Sequence, residues 1–67
     1  MNYQKLGDRI KNLRKDRKMK QIDPAVEVGV DARTIVAIEA GKRNPTLKTI
    51  NKLAKALGIP VHELLKF

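Results

Sequence analysis

QIDPAVEVGVDARTIVAIEAG, residues 21–41, carries two short helical patterns on either side of a tight turn at Gly29-Val30-Asp31. Ala25 and Gly29 are spaced so that a second helix would have to cross the first closely. Gly29 can take the left-handed conformation that ends a helix, and Asp31 can cap the next one with its carboxylate. Val28, Val30, Ile35 and Ile38 supply the apolar contacts that would fix the angle between the two helices. Pro24 constrains the first of them. Were Lys20 the cap, the proline would lose the bond to the Lys20 carbonyl and its ring would clash there, at a cost of about 3 kcal/mol. The cheaper arrangement makes Asp23 the N-cap and puts Pro24 in the first turn. The sequence therefore predicts a short helix over residues 23–28 and another over 32–40.

Upstream, Tyr3, Leu6, Ile10 and Leu13 recur at helical spacing, which predicts one helix over residues 3–17 with a narrow apolar stripe and Asn2 as its cap. Lys5, Arg9, Lys11, Lys15 and Lys18 fall on the solvated side, and Gly7 weakens the helix locally. Lys18-Met19-Lys20 is the connector. Downstream, Pro45 pushes Asn44 out of helical geometry, so Lys42-Arg43-Asn44-Pro45 reads as a loop. Thr46 caps a fourth helix to about Leu57, with Leu47, Ile50, Leu53, Ala54 and Leu57 expected inward. Gly58 ends it, and Pro60 opens a last short helix through Val61, Leu64 and Leu65. The fold class is all-α: a compact five-helix bundle forming a single domain over residues 1–67.

Composition narrows the function. A chain of 67 residues buries only roughly 60% of its unfolded surface, so its core has to be used economically. With no cysteine, disulfides and thiolate-metal sites are excluded. No apolar run approaches membrane-spanning length and no signal-peptide core opens the chain, so a soluble, cytoplasmic protein is expected. Tyr3 and Phe67 are the only aromatics, too few for a base-stacking binder of single strands. The net charge of +8 is unevenly spread: +6 over residues 1–20, −3 over 21–40 and +5 over 41–67. A polyanionic partner is one reading of a pI near 10.2; solvated helix faces are the other.

Taken in order, the motifs resemble a known family. LGDRIKNLR looks like the first helix of the lambda-repressor-like helix-turn-helix domains, the family of Cro- and XRE-type transcriptional regulators. Met19 and Gln21 resemble its "LSQ" or "LTQ" motif, and Ala25, Gly29-Val30 and Thr34-Ile35 its turn unit. Ile38-Glu39-Ala40-Gly41-Lys42 is similar to its "IExGK". Asn44-Pro45-Thr46-Leu47 and then LAKALGIPVHELL are similar to its "NPSL" and "LAxALGVSxxELL". The likeness covers essentially the whole chain. There are two departures. Pro24 stands where the family usually has leucine, with Ile22 expected to swing in and fill part of that space. Val36, Ala37 and Ala40 stand where Ser and Arg are common.

The resemblance implies a regulator, bacterial, archaeal or phage-type, that inserts residues 32–40 into the major groove of double-stranded DNA as a homodimer. With Ile35 and Ile38 inward, Ala32, Arg33, Val36, Ala37 and Ala40 lie on the opposite face. Arg33 is the one long polar side chain there and can bond guanine O6 and N7 together. Ala32, Val36 and Ala37 are candidates for contact with thymine methyls. Lys20, Gln21, Lys42, Arg43 and Asn44 are candidates for phosphate contacts, which set register without reading sequence. The resemblance also implies a mostly buried structural ion pair between Arg14 and Glu39. Phe67 is the better candidate for a dimer contact, Leu64 for the core.

No cofactor, metal site or small-molecule substrate is expected. His62 stands alone beside Glu63, and nothing resembles a nucleophile-base pair or a phosphate-cradling loop, so the chain does not read as an enzyme. A rival reading keeps the fold but makes it a protein-interaction module, antitoxin- or coactivator-like, using the methyl-rich outer face of residues 32–40. Another is a variant for folding studies, perturbed by Pro24.

Overall fold

Asn2, Asp31 and Thr46 each start a helix by accepting a backbone N–H on a short polar side chain, and the backbone turns left-handed at Lys18, Gly29, Gly41 and Gly58. The computed structural model describes residues 1–67, the side chain of Pro24 excepted, so the expectations about that ring lie outside the described residues. Five α-helices follow in order: α1 Tyr3–Asp16, α2 Ile22–Val28, α3 Ala32–Glu39, α4 Leu47–Ala56 and α5 Val61–Leu64. Asn2 caps α1 by accepting from the Lys5 N–H at 3.0 Å, and Thr46 caps α4 by accepting from Thr49 at 3.2 Å. At Gly29 (φ 80°), which ends α2, the Val30 N–H turns back to the Ala25 carbonyl at 3.0 Å, a Schellman closure. The same closure ends α1, with Met19 N–H on the Arg14 carbonyl at 3.0 Å, but there the left-handed residue is Lys18 (φ 55°).

The start of α2 differs from the sequence expectation. Asp23 is not the N-cap: α2 begins at Ile22, and Gln21 before it already has helical dihedrals. Asp23 instead reaches back, accepting the Lys20 N–H on its carboxylate at 2.7 Å, while its own N–H takes the Lys20 carbonyl at 3.0 Å. This reciprocal pair works like a capping box. It gives the Lys20 carbonyl a donor in place of the one that position 24 lacks, which answers the lost hydrogen bond in the case against an early start. Ile22 does not swing inward either; it is about half exposed. Leu47, expected in the core, is 67% exposed, because the first residue of α4 precedes the turn at which its inner face meets the bundle.

One core holds the helices together, with Leu6, Ile10, Ile35, Leu53 and Leu64 fully buried at its centre. Helix α1 packs on α3, α2 lies against both α3 and α4, and α5 bridges α4 and α1. Two contacts were not read from the sequence. Arg9, assigned to solvent, is half-buried and donates through Nε and Nη2 to the Glu63 carbonyl at 3.2 and 3.0 Å, tying α5 to α1. Gly7 is where α1 crosses the end of α3: a Cβ there would meet the carbonyls of Ile38 and Glu39, the latter at 2.6 Å.

Alanine at position 7 is the better helix former by about 1 kcal/mol, yet it would drive a methyl into two backbone carbonyls. Gly7→Ala is therefore expected to lower stability by about 1–3 kcal/mol, as overpacking does, in urea denaturation. A variant as stable as the parent would mean that α1 and α3 do not approach at this point.

Candidate nucleic-acid interface

On α3, Ile35 and Ile38 are buried and Glu39 is turned in with them. The opposite side is open: Val36 is 45% exposed, Ala32 and Ala37 are partly exposed, and Ala40, which follows the helix as its C-cap, is exposed. Arg33 stands out of this face with its side chain 93% exposed. The surface is thus a shallow strip of methyl groups carrying one long cation at its N-terminal end.

Asp31 organises that end. One carboxylate oxygen, Oδ1, accepts the Thr34 N–H at 3.0 Å and the Thr34 hydroxyl at 3.4 Å, capping α3. The other, Oδ2, accepts from Arg33 Nη2 at 3.4 Å. The Thr34 backbone hydrogen bond, with the Arg33 charge behind it, holds the Asp31 carboxyl below the usual aspartate range. Sequence reasoning found the cap and missed the second oxygen; the signal was the Asp-x-Arg spacing itself.

At its other end α3 closes through Gly41 (φ 72°), with Lys42 N–H on the Ala37 carbonyl at 2.9 Å. Lys42, Arg43 and Asn44 follow at once, all exposed. Lys20 is exposed at the start of α2. Gln21, half-buried, donates from Nε2 to Glu39 Oε1 at 3.3 Å, so its amide lies against the end of α3. Glu39 receives Arg14 as well: Nε on Oε2 at 2.7 Å and Nη2 on Oε1 at 3.0 Å, with both residues buried. The remaining edge of the guanidinium, Nη1, donates to the Met19 carbonyl at 2.8 Å. Two helices and a connector meet on one ion pair.

The arrangement is a scaffold for an exposed third helix, and the comparisons agree with that geometry. A family profile described as helix-turn-helix matches residues 10–64. The chain belongs to the helix-turn-helix family. This helix-turn-helix chain is 40% identical over 58 residues to the cryptic phage CTXphi transcriptional repressor RstR of Vibrio cholerae, covering 87% of the chain and 52% of that protein. It is 39% identical over 56 residues to the immunity repressor protein of Bacillus phage phi105, covering 84% of the chain and 39% of that repressor. The chain thus spans about half of the first relative and about two-fifths of the second. Among solved structures, the restriction-modification controller protein C.AhdI from Aeromonas hydrophila superposes with a TM-score of 0.90 at 36% identity, covering 94% of this chain and 91% of that one. The all-α, five-helix arrangement is therefore that of known helix-turn-helix proteins.

Removing one partner of the Arg14–Glu39 pair strands the other charge in the interior. Arg14→Leu and Glu39→Leu are each expected to lose about 3–5 kcal/mol, measured by denaturant unfolding. In the double variant the losses should not add, since no stranded charge remains. Losses that add would deny the pairing. For Asp31 the sign follows from its depressed pKa. The carboxylate's contribution to stability is complete above the ordinary aspartate value of about 3.9 and is lost as the pH falls through the lowered folded value. The melting temperature of the parent should exceed that of Asp31→Asn at neutral pH and converge with it in acid.

Proposed function

We propose that this chain is the DNA-binding part of a transcriptional regulator, a repressor by the company it keeps, that places α3 in the major groove of duplex DNA. One observation carries the reading: Arg33 projects almost fully exposed from a methyl-lined face of α3 whose opposite side is core. Arg33 reads a guanine through O6 and N7, while Ala32, Val36 and Ala37 approach base edges or thymine methyls closely. Lys20, Gln21, Lys42, Arg43 and Asn44 hold phosphates and set the register.

The proposal includes a homodimer on a two-fold symmetric site, with half-sites about 34–36 Å apart. Phe67, 46% exposed beside α5, supports an apolar contact there. No helix is long and apolar enough to cross a membrane, and a regulator of this kind works in the cytoplasm alongside its DNA. A protein partner is the second reading, favoured by the exposed Val36 on a face with a single charge.

Binding to random and selected duplexes across a salt series tests the assignment. Arg33→Ala should flatten preference among sequences by about 1–3 kcal/mol at one base pair. Lys42→Ala should weaken all duplexes alike and lower the salt slope by about one unit. Two chains per selected duplex are expected. If both variants bind as the parent does, α3 is not the reading helix; if the parent binds no duplex, the protein-partner reading takes its place.

A further inference from the structure

Arg33 is long, flexible and nearly free in solvent, which is a poor starting point for reading one base. An arginine loses roughly 2 kcal/mol of rotamer entropy when it is fixed, and a phosphate attracts it as well as a guanine does. Its immediate surroundings on α3 offer nothing to hold it: Ala32, Val36 and Ala37 have no polar side-chain atom. The exception is Asp31, whose Oδ2 accepts from Arg33 Nη2 at 3.4 Å. Asp31 is itself fixed by Thr34 through Oδ1, so one carboxylate joins the helix terminus to the arginine.

We propose that Asp31 is a positioning residue for DNA reading: it holds the Arg33 guanidinium over the N-terminal end of α3 and keeps it from phosphates, so that the pair, rather than Arg33 alone, sets base preference. This rests on the assignment of Arg33 to a base edge. The guanidinium has five N–H donors. One goes to Asp31, and two suffice for guanine O6 and N7, so both partners can be held at once. Where the base pair offers no such acceptors, Arg33 stays with Asp31, and the carboxylate repels the phosphates that would otherwise capture it. Asp31 thus lowers binding to unselected DNA and raises the margin for the matched site.

The test uses a duplex enriched by the parent protein from a random-sequence pool, together with its single-base-pair variants. Arg33→Ala first locates the base pair that Arg33 reads, as the position where preference disappears. Asp31→Asn keeps the cap, because the amide oxygen still accepts the Thr34 N–H, and removes only the charge that holds the arginine. The preference at that base pair should fall about two- to fivefold in Asp31→Asn, the range of an exposed ion pair, with affinity for unselected DNA higher than the parent's. In the Arg33→Ala background, Asp31→Asn should leave preference untouched. A cap with no positioning role would instead weaken every duplex equally. An undiminished preference in Asp31→Asn, with Arg33→Ala still flattening that base pair, overturns the proposal and leaves the Arg33 reading standing. If Arg33→Ala flattens no position, the reading of Arg33 falls and takes this inference with it.

Discussion

The bidentate bond between Arg14 and Glu39 is the constraint on which the arrangement of this small domain turns. Its energy is not the point, since a buried ion pair offsets its own desolvation poorly. What matters is where its atoms come from. Arg14 lies in the last turn of α1, Glu39 at the end of α3, and the third edge of the guanidinium takes the Met19 carbonyl of the connector into α2. Gln21, the residue just before α2, joins the same carboxylate. A carboxylate at a helix C-terminus is unfavourably placed in the helix dipole, so Glu39 is held by its donors rather than by its own helix. Leucine packing sets how closely the helices approach; this node sets how α3 is rotated, and so which of its residues face outward.

Gly7 makes the node reachable. Without a side chain there, α1 lies against the Ile38 and Glu39 carbonyls, and the Arg14 guanidinium falls within reach of the carboxylate. The charge pattern then makes sense as geometry. The −3 of residues 21–40 is partly internal, with Glu39 neutralised by Arg14 and Asp23 spent on the start of α2. The positive charge is carried by the residues before and after this stretch, while α3 itself, with Arg33 and Glu39, is neutral.

The number and order of the helices were legible because caps and stops are local. Asn2, Asp31 and Thr46 accept from the third residue onward, and Gly29 and Gly41 turn left-handed, as single-residue chemistry demands. The inward face of α3 followed from Ile35 and Ile38, and with it the outward placement of Arg33 and Val36; what those side chains touch is not a property of the free chain. The misreadings share a different cause. Asp23 reads as a cap only when the proline is weighed alone, without the Asp23 N–H that takes up the Lys20 carbonyl. Periodicity puts Leu47 on the core side of α4, but it cannot say at which turn a helix meets its neighbours. Arg9 and Gly7 act across long sequence separations, where spacing holds no information.

Lys18 carries a further implication. It occupies the left-handed position that closes α1, where glycines close α2 and α3, and an L-residue there costs about 1–2 kcal/mol. For a domain whose whole margin over the unfolded chain is a few kilocalories per mole, that is a substantial fraction to surrender at a solvent-exposed turn. What the lysine adds is one more positive charge at the mouth of the connector, beside Lys20. Local backbone ease and long-range attraction thus compete for the same position, and the side chain present is the one that favours attraction.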